Sequence, residues 1–162
     1  MNPRRVSLHD FVPEGRRGRQ WRASDLPDDV VYVGRPSKWG NPFPVNGPWI
    51  TWAAVALGYR ADKEGRRRAA VALHRAWMTG QPIVRGDRTD GPGELEYSSG
   101  RVASIDDAIS GFAAMASSMY EAPTLPAERP ELKELRGKRL ACHCPADDGL
   151  PCHTDVLLEL GA

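Results

Sequence analysis

All three cysteines of the chain, Cys142, Cys144 and Cys152, fall within a single window of eleven residues. An odd, tightly spaced set cannot supply the paired framework that staples small secreted domains, so the fold must rest on a buried core. A chain of 162 residues is large enough to build one, with room for a single domain of ordinary size. The sequence around the window also dictates local structure. Arg139-Leu140-Ala141-Cys142 reads as a short strand, Pro145, Gly149 and Pro151 break any regular continuation, and Cys152-His153-Thr154-Asp155 opens an apolar helix running to Leu160. Strand, loop and helix start in this order place a ligand site at the carboxyl end of a strand.

A second strand is expected at Val30-Val31-Tyr32-Val33, a β-branched and aromatic run ended by Gly34 and Pro36. The residues that follow, Gly34 to Pro44, carry too much Pro and Gly for regular structure and form a shaped loop. Over residues 64–79 the pattern turns helical, with Ala70, Leu73, His74 and Trp77 on one face and Gly80 and Pro82 as stops. His74 on that face reads as a core histidine. Ser104 with Asp107 is a capping-box-like pair opening a further amphipathic helix, and residues 131–135 form a short charged one. Residues 81–129 are expected as an insertion, and residues 1–28, rich in Arg, as a basic and flexible arm. The remainder, residues 29–162, is expected to be one small, Rossmann-like, three-layer α/β domain with a short, mostly parallel sheet.

With 22 Lys and Arg against 21 Asp and Glu, a net charge of +1 makes no global case for a polyanion binder. Contact with nucleic acid would have to come from the Arg-rich arm. No apolar stretch approaches a membrane span, and the first residues lack an apolar signal region, so a cytoplasmic protein is expected.

Three chemistries fit the cysteine window. In the first, Cys142, Cys144, Cys152 and one of His143 or His153 hold zinc, since thiolate and imidazole are its preferred ligands, although the Cys-x-Cys-x7-Cys-His spacing departs from the common knuckle. In the second, Cys152 is a nucleophile or polar binding group with His153 as acid or base. In the third, Cys152 carries thiol redox or sulfur-transfer chemistry with Cys142 or Cys144 as resolving partner. Against all three stands a purely structural role for small, buried thiols.

The loop Gly34-Arg35-Pro36-Ser37-Lys38-Trp39-Gly40-Asn41 combines anion-binding Arg35 and Lys38, hydrogen-bonding Ser37 and Asn41, a flat Trp39 ring, and Gly40 for close backbone approach. That mixture suits a nucleotide or nucleobase-containing small molecule. Arg35, Ser37, Lys38, Trp39 and Gly40 are the candidate binding residues, and Asn41 joins Cys152 and His153 as candidate catalytic groups. The corresponding reaction class is N-glycosidic hydrolysis or transfer.

VYVGRPSKWGNPF and LRGKRLACHCPADDGLPCHTDVLLELGA, taken together, resemble the bacterial and phage family known as domain of unknown function 4326. Its pattern is a strand, GRPSxWGNPF, a helix, then LxGKxLxCxC and CHxDVL. This chain differs in carrying His143 where the resemblance leads one to expect an aromatic residue, in a longer loop after Cys144, and in the insertion. The resemblance shifts a fourth metal ligand towards His153. The ending is also similar to domain of unknown function 488, and both likenesses imply a Rossmann-like α/β fold without implying a reaction.

Overall fold

A computed structural model describes residues 4–12, 21–81, 83, 123–145 and 148–161. The helix expected from Ser104, most of the 81–129 insertion, and Arg16, Arg17 and Arg19 of the arm lie outside the described residues. The chain divides into two compact units, residues 1–40 with 130–162, and residues 41–129.

The first unit is built on three strands, β1 (Arg5–Ser7), β2 (Val30–Tyr32) and β3 (Arg139–Cys142), all parallel and in the order β1-β3-β2. The last strand in sequence is thus central. Parallel sheets are covered on both faces and read as continuous apolar runs, and Leu140, Ala141 and Cys142 are accordingly all buried. One face packs Val6, Leu8, Val12, Leu26, Val30 and Ala141, with Phe11, Trp21 and Tyr32 at the margin. The terminal helix, His153–Glu159, packs against β1 and β3 and buries Val156 and Leu157. It is the third helix of the described chain, α3, after the two helices of the second unit.

Register is pinned at the strand starts. Arg139 N donates to Asp29 O at 2.8 Å, and the Arg139 guanidinium grips the Asp29 carboxylate at 2.6 and 2.9 Å. At the other end Val33 N donates to Ala141 O at 2.9 Å, extending the pairing past β2. Residues 5–7, expected within a flexible arm, instead form β1. Three residues with one buried side chain, Val6, carry too little periodicity to be read as a strand.

The second unit contains α1 (Pro48–Ala56) and α2 (Lys63–Thr79), which pack on each other. Phe43, Trp49, Ile50, Leu73, Trp77 and Ile83 are among the residues of its core. The helix expected over residues 64–79 is present; Asp62 caps it through Gly65 N at 2.8 Å, and Gly80 ends it in the left-handed conformation at φ 69°. His74 is fully buried. α1 went unforeseen because PWITWAAVA is apolar on most sides and shows no 3.6-residue alternation, leaving Pro48 at the first turn as its main signal. Among the described residues no helix is long and apolar enough to cross a membrane.

The guanidinium of Arg139, by hydrogen bonding and then by charge, holds Asp29 below the usual carboxylate range. A lowered folded-state pKa contributes stability that is complete above the unfolded value of about 3.9 and disappears as pH falls through the folded one. Acid titration of unfolding should therefore show D29N to be less acid-sensitive than wild type below about pH 4, with the difference between them shrinking as pH falls.

Candidate metal centre at the end of β3

Cys142 is the last residue of β3, opposite Ser7 of β1, and Cys152 is the N-cap of α3. The strand end and the helix start bring the thiols together. The sulfurs of Cys142, Cys144 and Cys152 all lie within 4.8 Å of one another, and Cys142 Sγ is 3.5 Å from Cys152 Sγ without a disulfide. Cys142 and Cys152 are buried and Cys144 is partly so. This is a group of soft donors able to hold a metal ion.

The helix start is held from behind. Asp155 Oδ2 accepts from Cys152 N at 2.8 Å, the reciprocal arm of a capping box. Buried His153 directs its Nε2 to Val33 O at 2.9 Å. A carbonyl only accepts, so Nε2 carries a proton, and Nδ1 faces Cys152 Sγ, 3.6 Å away. Thr154 Oγ1, fully buried, lies 3.5 Å from the same sulfur.

Hydrogen bonds from Cys142 and then Cys144 push the Cys152 thiol far down, while the bonds Cys144 makes to Cys142 and Cys152, with burial, push Cys144 far up. A bound cation inverts this balance and favours all three as thiolates.

His143 is not part of the sulfur group. It is exposed, with its ring 5.6 Å from Tyr32, 6.4 Å from Trp21 and 6.0 Å from His9. Position 143 serves an aromatic cluster, and partial desolvation by the neighbouring rings, followed by the charge of His9, lowers the His143 pKa.

The loop after β2 is closed by two successive turns, Ser37 N to Gly34 O and Gly40 N to Ser37 O, each at 2.9 Å. Tyr32 Oη donates to Arg35 O at 2.7 Å. A Cβ on Gly34 would come within 2.4 Å of that hydroxyl, and one on Gly40 within 3.0 Å of the Arg35 backbone, so neither position accepts a side chain without a shift. Lys38 Nζ bonds both Glu134 carboxylate oxygens at 2.7 Å and lies 4.6 Å over the Trp39 ring, so its charge and that ring face are engaged inside the unit. Arg35 is exposed. Ser37 Oγ and Trp39 Nε1 are buried and have no hydrogen-bond partner among the described residues. Asn41 belongs to the second unit, where its amide donates to Ala70 O at 3.0 Å and accepts from Phe43 N at 2.9 Å.

Residues 16–162 match the model of a family described as Domain of unknown function (DUF4326). The chain belongs to this family. No curated protein and no solved structure matches it. The DUF4326 match takes in β2, the turn-closed loop, β3 and α3, and with them every cysteine; β1 precedes it. Arg5, Asp155 and the Val33 carbonyl were not foreseen as parts of the site. Asp155 was detectable, three residues beyond an N-cap, whereas no local pattern marks Arg5 or a backbone carbonyl.

Replacing His153 with Ala would leave the Val33 carbonyl without its imidazole donor, and an unsatisfied buried polar group costs about 1–3 kcal/mol. An unfolding free energy lowered by that amount, from denaturant titration of protein treated with chelator, is the expected outcome; an unchanged free energy would show the bond to be dispensable.

Proposed function

We propose that this chain is a zinc-thiolate protein, with Cys142, Cys144 and Cys152 as ligands and His153 Nδ1 as the fourth. The convergence of the three sulfurs within 4.8 Å carries the reading. Tetrahedral zinc, with Zn–S near 2.3 Å and Zn–N near 2.0 Å, sets ligand separations of about 3.8 Å for S···S and about 3.5 Å for S···N. The separations of 3.5 Å between Cys142 and Cys152 and 3.6 Å between Cys152 and His153 Nδ1 lie near those values. The His153 bond to Val33 O supports the role further, since metal-bound imidazoles donate their other N–H to a carbonyl or carboxylate. Reduced thiolates suit the cytoplasm, where we place the protein.

Elemental analysis of purified protein should find about one zinc per chain, lost in C152S, and a chelator should lower the melting temperature. Zinc-free protein that neither takes up the ion nor responds to chelator would sink this reading.

A second reading is favoured by the two buried, unpartnered donors of the loop, Ser37 Oγ and Trp39 Nε1. Both call for acceptor atoms, as the edge of a nucleobase or a phosphate offers, and exposed Arg35 adds a positive charge for the latter. Here the loop recognises a nucleotide or nucleobase-containing small molecule, with N-glycosidic hydrolysis or transfer as the reaction. Calorimetric titration with nucleotides, nucleosides and bases should reveal binding tighter than about 1 mM, weakened roughly 2- to 12-fold in S37A by loss of one hydrogen bond. Absence of any such binding removes it.

A further inference from the structure

Arg5 connects the two segments that carry the cysteines. It is the first residue of β1, opposite Leu140 of β3, and its side chain is only 13% exposed. One terminal nitrogen, Nη1, pairs with Asp155 at 3.0 Å to Oδ2 and 3.3 Å to Oδ1. The other, Nη2, donates to the carbonyl of Pro145. Pro145 directly follows Cys144, and Asp155 caps the backbone N–H of Cys152. A single planar guanidinium therefore ties the exit of the Cys142-x-Cys144 strand end to the entrance of the Cys152 helix. Between them lie the seven residues 145–151, PADDGLP.

We propose that Arg5 is the positioning residue of the metal centre, a clamp that holds the three sulfurs convergent before the metal arrives. The inference rests on the zinc reading above and deepens it. Two effects act together. Fixing both ends of the loop means that metal binding need not order them. A divalent ion with three thiolates and a neutral imidazole carries one net negative charge, which a nearby guanidinium offsets in a partly buried setting. The electrostatics of Arg5 agree: burial works against its charge, but Cys152, Asp155, Cys142 and Cys144 together outweigh burial and hold its pKa above the ordinary value. Arginine suits the position and lysine does not, because only the fork reaches two acceptors at once. The clamp comes from a strand that precedes the DUF4326 match, so the family comparison gives no hint of it.

The test is the zinc affinity of the full chain, measured by competition with a chromophoric chelator, with cobalt(II) as spectroscopic probe of thiolate coordination. Three variants are compared with wild type: R5Q, R5K and R139Q. The last breaks the bidentate pair to Asp29 in the same sheet and controls for general loss of stability. R5Q should bind zinc about 10- to 100-fold more weakly, the usual effect of removing a group that orients metal ligands, with a perturbed cobalt–thiolate absorption band, R5K between R5Q and wild type, and R139Q near wild type. An R5Q affinity within about threefold of wild type, or an equal loss in R139Q, overturns the clamp. If R5Q does not fold, R5K decides by the same criterion. Wild-type protein that binds no zinc sinks the metal reading and this inference with it, whereas tight wild-type binding with an indifferent R5Q sinks the clamp alone.

Discussion

The parallel pairing of Arg139–Cys142 on both of its edges is the constraint on which the first unit depends. Because β3 is central, its backbone groups are used on both sides and its side chains after Arg139 are buried. Leu140 and Ala141 are 0% exposed and Cys142 1%. A strand so held ends at a defined place, and the residues just past its end inherit that definition. Cys142 and Cys144 are therefore located by the sheet, and Cys152 by the helix that packs back onto it. The Arg139–Asp29 pair at the start of the strands and the Val33–Ala141 bond at their finish keep β2 from slipping; a slip of one residue would reverse which face each side chain meets.

The region beyond the strand ends is linked by polar contacts. His153 and Thr154 lie beside the Cys152 sulfur; the Val33 carbonyl holds His153, and the Asp155 carboxylate joins the Cys152 N–H to the Arg5 guanidinium. Such an arrangement tolerates little change in size or charge at any one point. By contrast, the aromatic cluster of Trp21, Tyr32, His143 and His9 asks mainly for flat rings. That explains how His143 can occupy a place at which an aromatic residue is expected. A residue between two metal-ligand candidates in sequence need not be a ligand, because side chains on neighbouring residues of an extended chain point apart.

The loop after β2 is shaped by its own contacts. Tyr32, Arg35 and Gly40 set its backbone, and Lys38 is drawn to Glu134. Charge in a sequence motif is thus not the same as charge available to a ligand. Arg35 and Lys38 are both exposed, but Lys38 is paired with Glu134, while the buried atoms Ser37 Oγ and Trp39 Nε1 have no hydrogen-bond partner among the described residues.

Much of this was legible beforehand. The β-branched run at residues 30–32, the amphipathic helix ending at Gly80, and the strand-loop-helix around the cysteines follow from periodicity and stop residues, which are local properties. The α/β class and the parallel sheet followed from them. Other features were not legible. β1 is too short to show a period, α1 is too uniformly apolar, and the division at residues 40–41 falls inside a Pro- and Gly-rich loop that reads as one segment, whereas the division at 129–130 coincides with the end of the expected insertion. The sequence by itself determined that three soft ligands lie within eleven residues, at the junction of a strand and a helix. Only the tertiary structure decided that their sulfurs converge, that His153 Nδ1 comes within 3.6 Å of the Cys152 sulfur, and that Arg5, 150 residues from Asp155, bonds to both segments. Spacing along a chain limits which groups can meet, but the meeting is settled by strand pairing between distant segments, which no local pattern encodes.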